Sequence, residues 1–248
     1  MASDAGPGDA GPGDAGPGDA GPSEAGRAPQ ARGSDDGGGQ PRSALLIDWG
    51  GVLTSNLFES FRAHCERIGI EPQSLRARFA GDPETRDLLI ALEKGQLEEA
   101  IFERRLSGLL ECEPEGLIDG LFAGVRPDEA MLEAVRRARA SGVRTALVSN
   151  SWGVHRYPRE LFEELFDGVV ISAEEGIRKP SRRMYELGAE RAGVQTTQCV
   201  YVDDLPFNLA PAEELGMATI HHTSAETTIP ELERLLGVTL DGLERPSA

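Results

Sequence analysis

Ala44-Leu45-Leu46-Ile47-Asp48-Trp49-Gly50-Gly51-Val52-Leu53-Thr54 is the stretch from which the fold is read. Four apolar residues run without a polar interruption and stop at an aspartate. A strand with that pattern is buried on both faces, as in a parallel sheet covered by helices on either side. The rest of the chain agrees. Further short apolar runs lie at 143–148, 169–171, 199–202 and 217–220, and helical patterns occupy 128–140, 158–166, 180–192 and 208–215. Strands that alternate with helices predict an α/β fold with a parallel sheet.

Two regions fall outside that alternation. From 57 to 124 the pattern is helical throughout, with Phe58, Phe61 and Cys65 at spacings of three and four, and with breaks expected at Gly69, Gly81, Gly95 and Gly108. This is too long for a simple crossover and predicts a helical cap over 57–124, inserted into a core made of 43–56 and 125–248. The amino terminus repeats Asp-Ala-Gly-Pro-Gly from Asp4, Asp9 and Asp14. Residues 1–42 carry almost no large apolar side chains, so burial cannot offset the entropy of ordering them, and a disordered tail is expected.

Composition narrows the function. With 25 Lys and Arg against 42 Asp and Glu the formal net charge is −17, which speaks against nucleic-acid binding and against docking on anionic membranes. No apolar run approaches the length of a spanning helix. No secretory leader is legible, and a cytoplasmic protein is expected. Cys65, Cys112 and Cys199 are too few and too scattered for a zinc site or a disulfide framework and read as free thiols.

In open α/β sheets ligands gather beyond the carboxyl ends of the strands. Asp48 follows the first strand, Ser149-Asn150 the second, and Asp203-Asp204 the fourth, with Asn208 close behind. Lys179, one of only two lysines in the chain, opens a helix after the third. One cation, hydroxyl and amide donors, and paired carboxylates suggest an anionic ligand with a Mg²⁺ ion, which prefers hard oxygen ligands.

Four blocks carry a resemblance. They are Asp48 with Gly51-Val52-Leu53-Thr54, then Val148-Ser149-Asn150-Ser151, then Gly176-Ile177-Arg178-Lys179-Pro180, and last Tyr201-Val202-Asp203-Asp204 through Gly216-Met217. In this order, with a helical insertion between the first two, the chain resembles the haloacid dehalogenase superfamily over roughly 43–238. Leu92-Glu93-Lys94-Gly95-Gln96-Leu97 in the insertion is similar to the branch that holds the amino-terminal phosphatase domain of soluble epoxide hydrolase. The resemblance implies a Rossmann-like core and a hydrolase, a phosphatase of small phosphorylated metabolites working through an aspartyl-phosphate. Asp48 would be the nucleophile. Asp48, the Gly50 carbonyl and Asp204, supported by Asp203, would hold Mg²⁺. Ser149, Asn150 and Lys179 would bind phosphate, and Asn208 would support the site.

One departure matters. Phosphatases of this superfamily carry a second aspartate two residues after the nucleophile, and here that position is Gly50. A positioned acid and base contributes about 10²–10⁴-fold in rate. His155 and His64 are the substitutes at hand. Three readings stay open: a phosphatase with an altered acid, a phosphonatase-like C–P hydrolase using Lys94, and a catalytically weak phospholigand-binding or regulatory protein. Lys94 sits in a turn like an ordinary helix break, which argues against the second. Trp49 and Trp152 stand beside site residues and are expected to wall the cleft or pack against the cap. The pair His221-His222 reads as structural. The cap counts 14 acids against 8 bases, leaving no basic surface for a polyanion and favouring a small substrate.

Overall fold

The structure is a computed structural model that describes residues 40–240. Strand β1 (Ala44–Ile47) leads into five helices, α1 (Leu57–Arg67), α2 (Pro72–Gly81), α3 (Pro83–Glu93), α4 (Glu99–Leu110) and α5 (Leu117–Phe122). Then follow α6 (Glu129–Ala140), β2 (Arg144–Ser149), α7 (Phe162–Leu165), β3 (Gly168–Ile171), α8 (Ser172–Glu175) and α9 (Arg182–Ala192). The chain continues through β4 (Cys199–Asp203), α10 (Leu209–Glu214), β5 (Ala218–His221) and α11 (Ala225–Leu236). The five strands form one parallel sheet in the order β3-β2-β1-β4-β5.

This order places the site. β1 is central, the chain winds outward from it in both directions, and the crevice between β1 and β4 is the switch point where such sheets bind ligands. Ile47 pairs in register with Leu147 and with Val202, so Asp48, Ser149 and Asp203 leave the sheet at one edge. All four residues of β1 are fully buried. Leu45 and Ile47 pack with α6 and α11, whereas Ala44 and Leu46 pack with α9 and α10. On the second face α9 lies so close that a Cβ at Gly188 would come within 2.6 Å of Val148 and 2.9 Å of Leu46.

The inserted helices form a core of their own around Phe61, Leu88, Leu92, Phe102, Leu106 and Leu121. Helices end as expected at Gly69, Gly81 and Gly95. Gly108 is different: it lies inside α4, and the turn falls at Glu111 in the left-handed conformation. Burial of Phe102, Leu106 and Leu110 on one stripe outweighs the weak helix propensity of a single glycine. Over 158–166 only α7 is α-helical, preceded by a 3₁₀ turn at Arg159–Leu161. Helix α11 has no counterpart in the expected elements; Pro230 inside it hides the pattern, while Thr228, Leu232 and Leu236 are buried on one of its sides.

The expected tail lies outside the described residues as far as 39. Arg42, placed in that tail by composition, belongs to the core: its backbone N–H donates to the Leu235 carbonyl at 2.9 Å and its guanidinium to the Gly216 carbonyl at 3.2 Å. The three cysteines are unpaired. Among the described residues no helix is long and apolar enough to cross a membrane.

Candidate active site

Lys179 is the centre of the site. It is 1 % exposed, and its Nζ lies 2.9 Å from Asp48 Oδ1 and 2.7 Å from Asp203 Oδ2. A buried ammonium survives only if paired, and these two carboxylates pair it; burial lowers its affinity for the proton, and Asp203 and Asp48 more than restore it. Asn150 holds the lysine from outside: its Oδ1 accepts the Lys179 N–H at 2.8 Å and its Nδ2 donates to the Lys179 carbonyl at 3.2 Å. The amide expected to contact phosphate is therefore turned to the lysine backbone.

Asp203 is saturated. It accepts from Lys179 Nζ, the Tyr201 hydroxyl, the Leu205 N–H at 2.9 Å and Asn208 Nδ2 at 3.0 and 3.1 Å. Burial pushes its carboxyl up, but the Lys179 charge and these donors hold it below the usual range. Asp203 is an anchor for the lysine, which leaves Asp48 and Asp204 as the carboxylates available to a metal ion.

Oδ1 of Asp48 accepts the Trp49 N–H at 2.7 Å as well as the lysine, and among the described residues Oδ2 accepts no hydrogen bond. Burial raises this carboxyl to about 6, against the pull of Lys179 and with help from Asp203. Asp204 is raised to about 7, first by burial and then by the charges of Asp48 and Asp203. Oxygens of Asp48, Asp203 and Asp204 lie within 4.8 Å of one another. Of these, Asp48 and Asp204 are pushed towards neutrality and want a cation, and an all-oxygen donor set fits a hard divalent one. Among the described residues the Gly50 carbonyl accepts no backbone hydrogen bond, and it is available to the same ion. Gly51 (φ +77°) lets the loop pass Asp204, since a Cβ there would overlap the carboxylate.

Ser149 is buried at the end of β2, and its Oγ accepts the Tyr157 hydroxyl at 3.0 Å. Its own proton is thus left to donate. Ser149, Asn150 and Gly50 open into a cavity of about 560 Å³, walled by Trp49, Leu57, Phe122, Trp152 and Tyr157, with His155, Arg156 and Asp119 also lining it. Both tryptophans do double duty. Trp49 stacks edge-on with Tyr157 and Phe162, and Trp152 is surrounded by Phe61, Phe79, Phe102 and Phe122. A second cavity of about 1060 Å³ reaches Gly51, Thr54 and Asp204, and Thr54 lines both.

The remaining candidates fall away from this centre. His64 is wedged beside Arg67 and Gly120 and lines a separate cavity. Lys94 caps the end of α3 and lines none of these cavities. His222 is buried against Thr228, and His221 meets the Asp204 carbonyl at 3.1 Å. Sequence reasoning assigned no role to Tyr157, Tyr201, Leu57 or the buried Glu93–Arg178 pair that ties α3 to the lysine loop. Tyr201 and Arg178 stand within the quoted blocks. Leu57 could not be found that way, because its position matters only through space.

Leu57 bears on the missing acid. A Cβ built at Gly50 would lie 2.7 Å from Leu57 Cδ1, the far end of a flexible side chain that has to turn aside to admit an aspartate. Gly50→Asp alone is therefore expected to raise phosphatase activity, with the Leu57 side chain turned aside. Gly50→Asp combined with Leu57→Ala should gain more than either single change, by up to the roughly 10²-fold lower value of a positioned acid. Phosphate release from an alkyl phosphate measures it.

A carboxylate at the end of the central strand, a buried lysine beside it and two further carboxylates gather at the switch point of the sheet. Residues 43–216, more than half of the chain, match the haloacid dehalogenase-like hydrolases, and the protein belongs to that family. It is 32 % identical over 116 residues to a sesquiterpene phosphatase of Aspergillus oryzae, a match covering 46 % of this chain and 59 % of that one. It is 32 % identical over 117 residues to bifunctional epoxide hydrolase 2 of Sus scrofa, covering 44 % of this chain and 21 % of the other, so the chain spans only part of these relatives. A haloacid dehalogenase family enzyme of Bacteroides thetaiotaomicron, solved with magnesium and inorganic phosphate, shares the fold with a TM-score of 0.56 at 23 % identity, over 73 % of this chain and 94 % of that one.

Proposed function

We propose that the protein is a Mg²⁺-dependent phosphohydrolase that takes a small phosphorylated substrate through an aspartyl-phosphate. The observation that carries this reading is the state of Asp48: one oxygen held by the Trp49 N–H and Lys179, the other without a hydrogen-bond partner among the described residues. Oδ2 would attack phosphorus as the ester oxygen leaves. Water would then attack the same phosphorus, returning the Asp48 carboxylate and releasing inorganic phosphate. Lys179 keeps Asp48 ionised and faces the phosphoryl charge, and the Ser149 hydroxyl donates to a phosphoryl oxygen. Asp48, Asp204 and the Gly50 carbonyl would hold Mg²⁺, whose charge stabilises the phosphoryl oxygens. Asn150, Asp203 and Asn208 act on the lysine, not on the substrate. The cavity walls of Trp49, Leu57, Phe122 and Trp152 suit an organic group with apolar surface, and the name of the Aspergillus relative agrees with phosphate-ester chemistry.

Phosphate release from a panel of phosphate monoesters, with Mg²⁺ or with EDTA, tests the reading. Turnover that requires Mg²⁺ is expected. Phosphate binding without turnover of any ester would replace it with the binding-protein reading.

The raised carboxyls also predict a pH effect on stability. Asp48, Asp204 and Glu93, which burial raises to about 7 against the pull of Arg178, bind protons more tightly folded than unfolded. Their stabilising contribution is complete below pH 4 and is lost as pH rises through about 6 to 7. In EDTA the urea midpoint should fall between pH 5 and 8. Mg²⁺, which binds the ionised forms, should reduce that fall. A midpoint that rises with pH in EDTA would contradict the assignment.

A further inference from the structure

Gly50 leaves no proton donor two residues after the nucleophile, and the side chain closest to that position is Leu57. If esters with poor leaving groups are hydrolysed, the proton comes from another wall of the cavity onto which Gly50 and Ser149 open. Apart from arginines, which do not give up protons, that wall holds three ionisable groups: Asp119, His155 and Tyr157. Tyr157 is spent, because burial pushes its phenol far above the ordinary range and its proton already goes to Ser149 Oγ. Asp119 is tied up by Arg156, at 2.9 Å. His155 remains, and histidine is the side chain suited to both giving and taking a proton near neutral pH.

His155 is open to solvent and has a carboxylate close by. Its Nε2 lies 3.6 Å from Glu99 Oε2, an oxygen that is buried and accepts no hydrogen bond. The other oxygen of Glu99 takes the Arg156 guanidinium. The charged groups around the imidazole are thus Glu99 from α4, Arg156 from its own loop, and Asp119 from α5 behind Arg156. Gly153 makes the approach possible. Its φ is +128°, and a Cβ there would run into Glu99 Oε2 and come within 3.1 Å of His155 Cε1. Glu99 belongs to the inserted helices and His155 to the loop after β2, so the pair exists only where the two meet.

We infer that His155 is the general acid of this site, with Glu99 beside it, in place of the aspartate absent at position 50; this rests on the phosphohydrolase reading. As the bond from Asp48 Oδ2 to phosphorus forms and the ester P–O bond breaks, the imidazolium gives its proton to the leaving oxygen. Water then bonds to phosphorus as the bond to Asp48 Oδ2 breaks, its protons leave on the phosphate, and the imidazole regains its proton from solvent. The products are an alcohol and inorganic phosphate, with the proton back on His155.

An alcohol needs that proton to leave, whereas p-nitrophenolate leaves without it, and the contrast makes the test. Wild type and His155→Ala are compared with Mg²⁺ on hexyl phosphate and on p-nitrophenyl phosphate. His155→Ala should lose about 10²-fold or more in kcat on hexyl phosphate and no more than a few-fold on p-nitrophenyl phosphate, whose turnover also reports that the variant is folded. Glu99→Gln should show the same contrast with smaller size. Equal losses on both substrates, or no loss on hexyl phosphate, would overturn the assignment of His155 and leave the phosphohydrolase standing. So would a wild type that hydrolyses only p-nitrophenyl phosphate, since no acid then operates. A wild type that releases phosphate from neither ester removes the phosphohydrolase reading itself and this inference with it.

Discussion

Asp48→Asn is expected to abolish phosphate release, a loss of the order of 10⁶-fold as for other covalent nucleophiles, while the protein stays folded. An amide has the shape of the carboxyl and can still accept the Trp49 N–H, which now bonds Oδ1 at 2.7 Å. It cannot form an acyl phosphate. Stability should hold because burial has raised Asp48 to about 6. A carboxyl whose pKa is raised on folding weakens the folded state once ionised, so a neutral replacement removes a cost at pH 7.5. Lys179 keeps Asp203 as its partner at 2.7 Å. Phosphate assays and thermal melts at pH 7.5 check both halves, and residual turnover within a few-fold of wild type would end the nucleophile assignment.

Lys179→Met should cost both turnover and stability. The ammonium is the shared partner of two carboxylates, one of them, Asp203, fully buried. Removing it leaves uncompensated charge in the interior, which costs about 3–5 kcal/mol when one side of a buried pair is lost. Adding Asp203→Asn should recover part of that loss in urea unfolding without recovering activity, because the repulsion is relieved and the phosphoryl group still meets no cation. A single variant within about 1 kcal/mol of wild type would show that Lys179 is not the electrostatic keystone of this edge.

Much of this was legible in the chain. Unbroken apolar runs at 44–47 and 199–202 announced buried parallel strands, because a strand covered on both faces cannot alternate. Asp48, Ser149, Lys179 and Asp203 follow strands or open a helix, and parallel pairing brings strand ends to one edge. The roles within that edge were less legible. Asn150 read as a phosphate donor and is turned to the Lys179 backbone, 29 residues away. Asp203 read as half of a metal pair and is filled by donors from Lys179, Tyr201, Leu205 and Asn208. Adjacent acids look alike in sequence; successive side chains on a strand point opposite ways, and only one of these two meets the lysine.

By itself, then, the sequence determined the strands, the inserted helices, the family and the set of residues at the active edge, since each depends on local pattern and on order along the chain. Tertiary structure alone decided what those residues touch: the methyl group of Leu57 against Gly50, the carboxylate of Glu99 beside His155, the lysine shared between two aspartates. Each of these is a distance of a few ångströms between segments that the chain separates, and packing sets such distances.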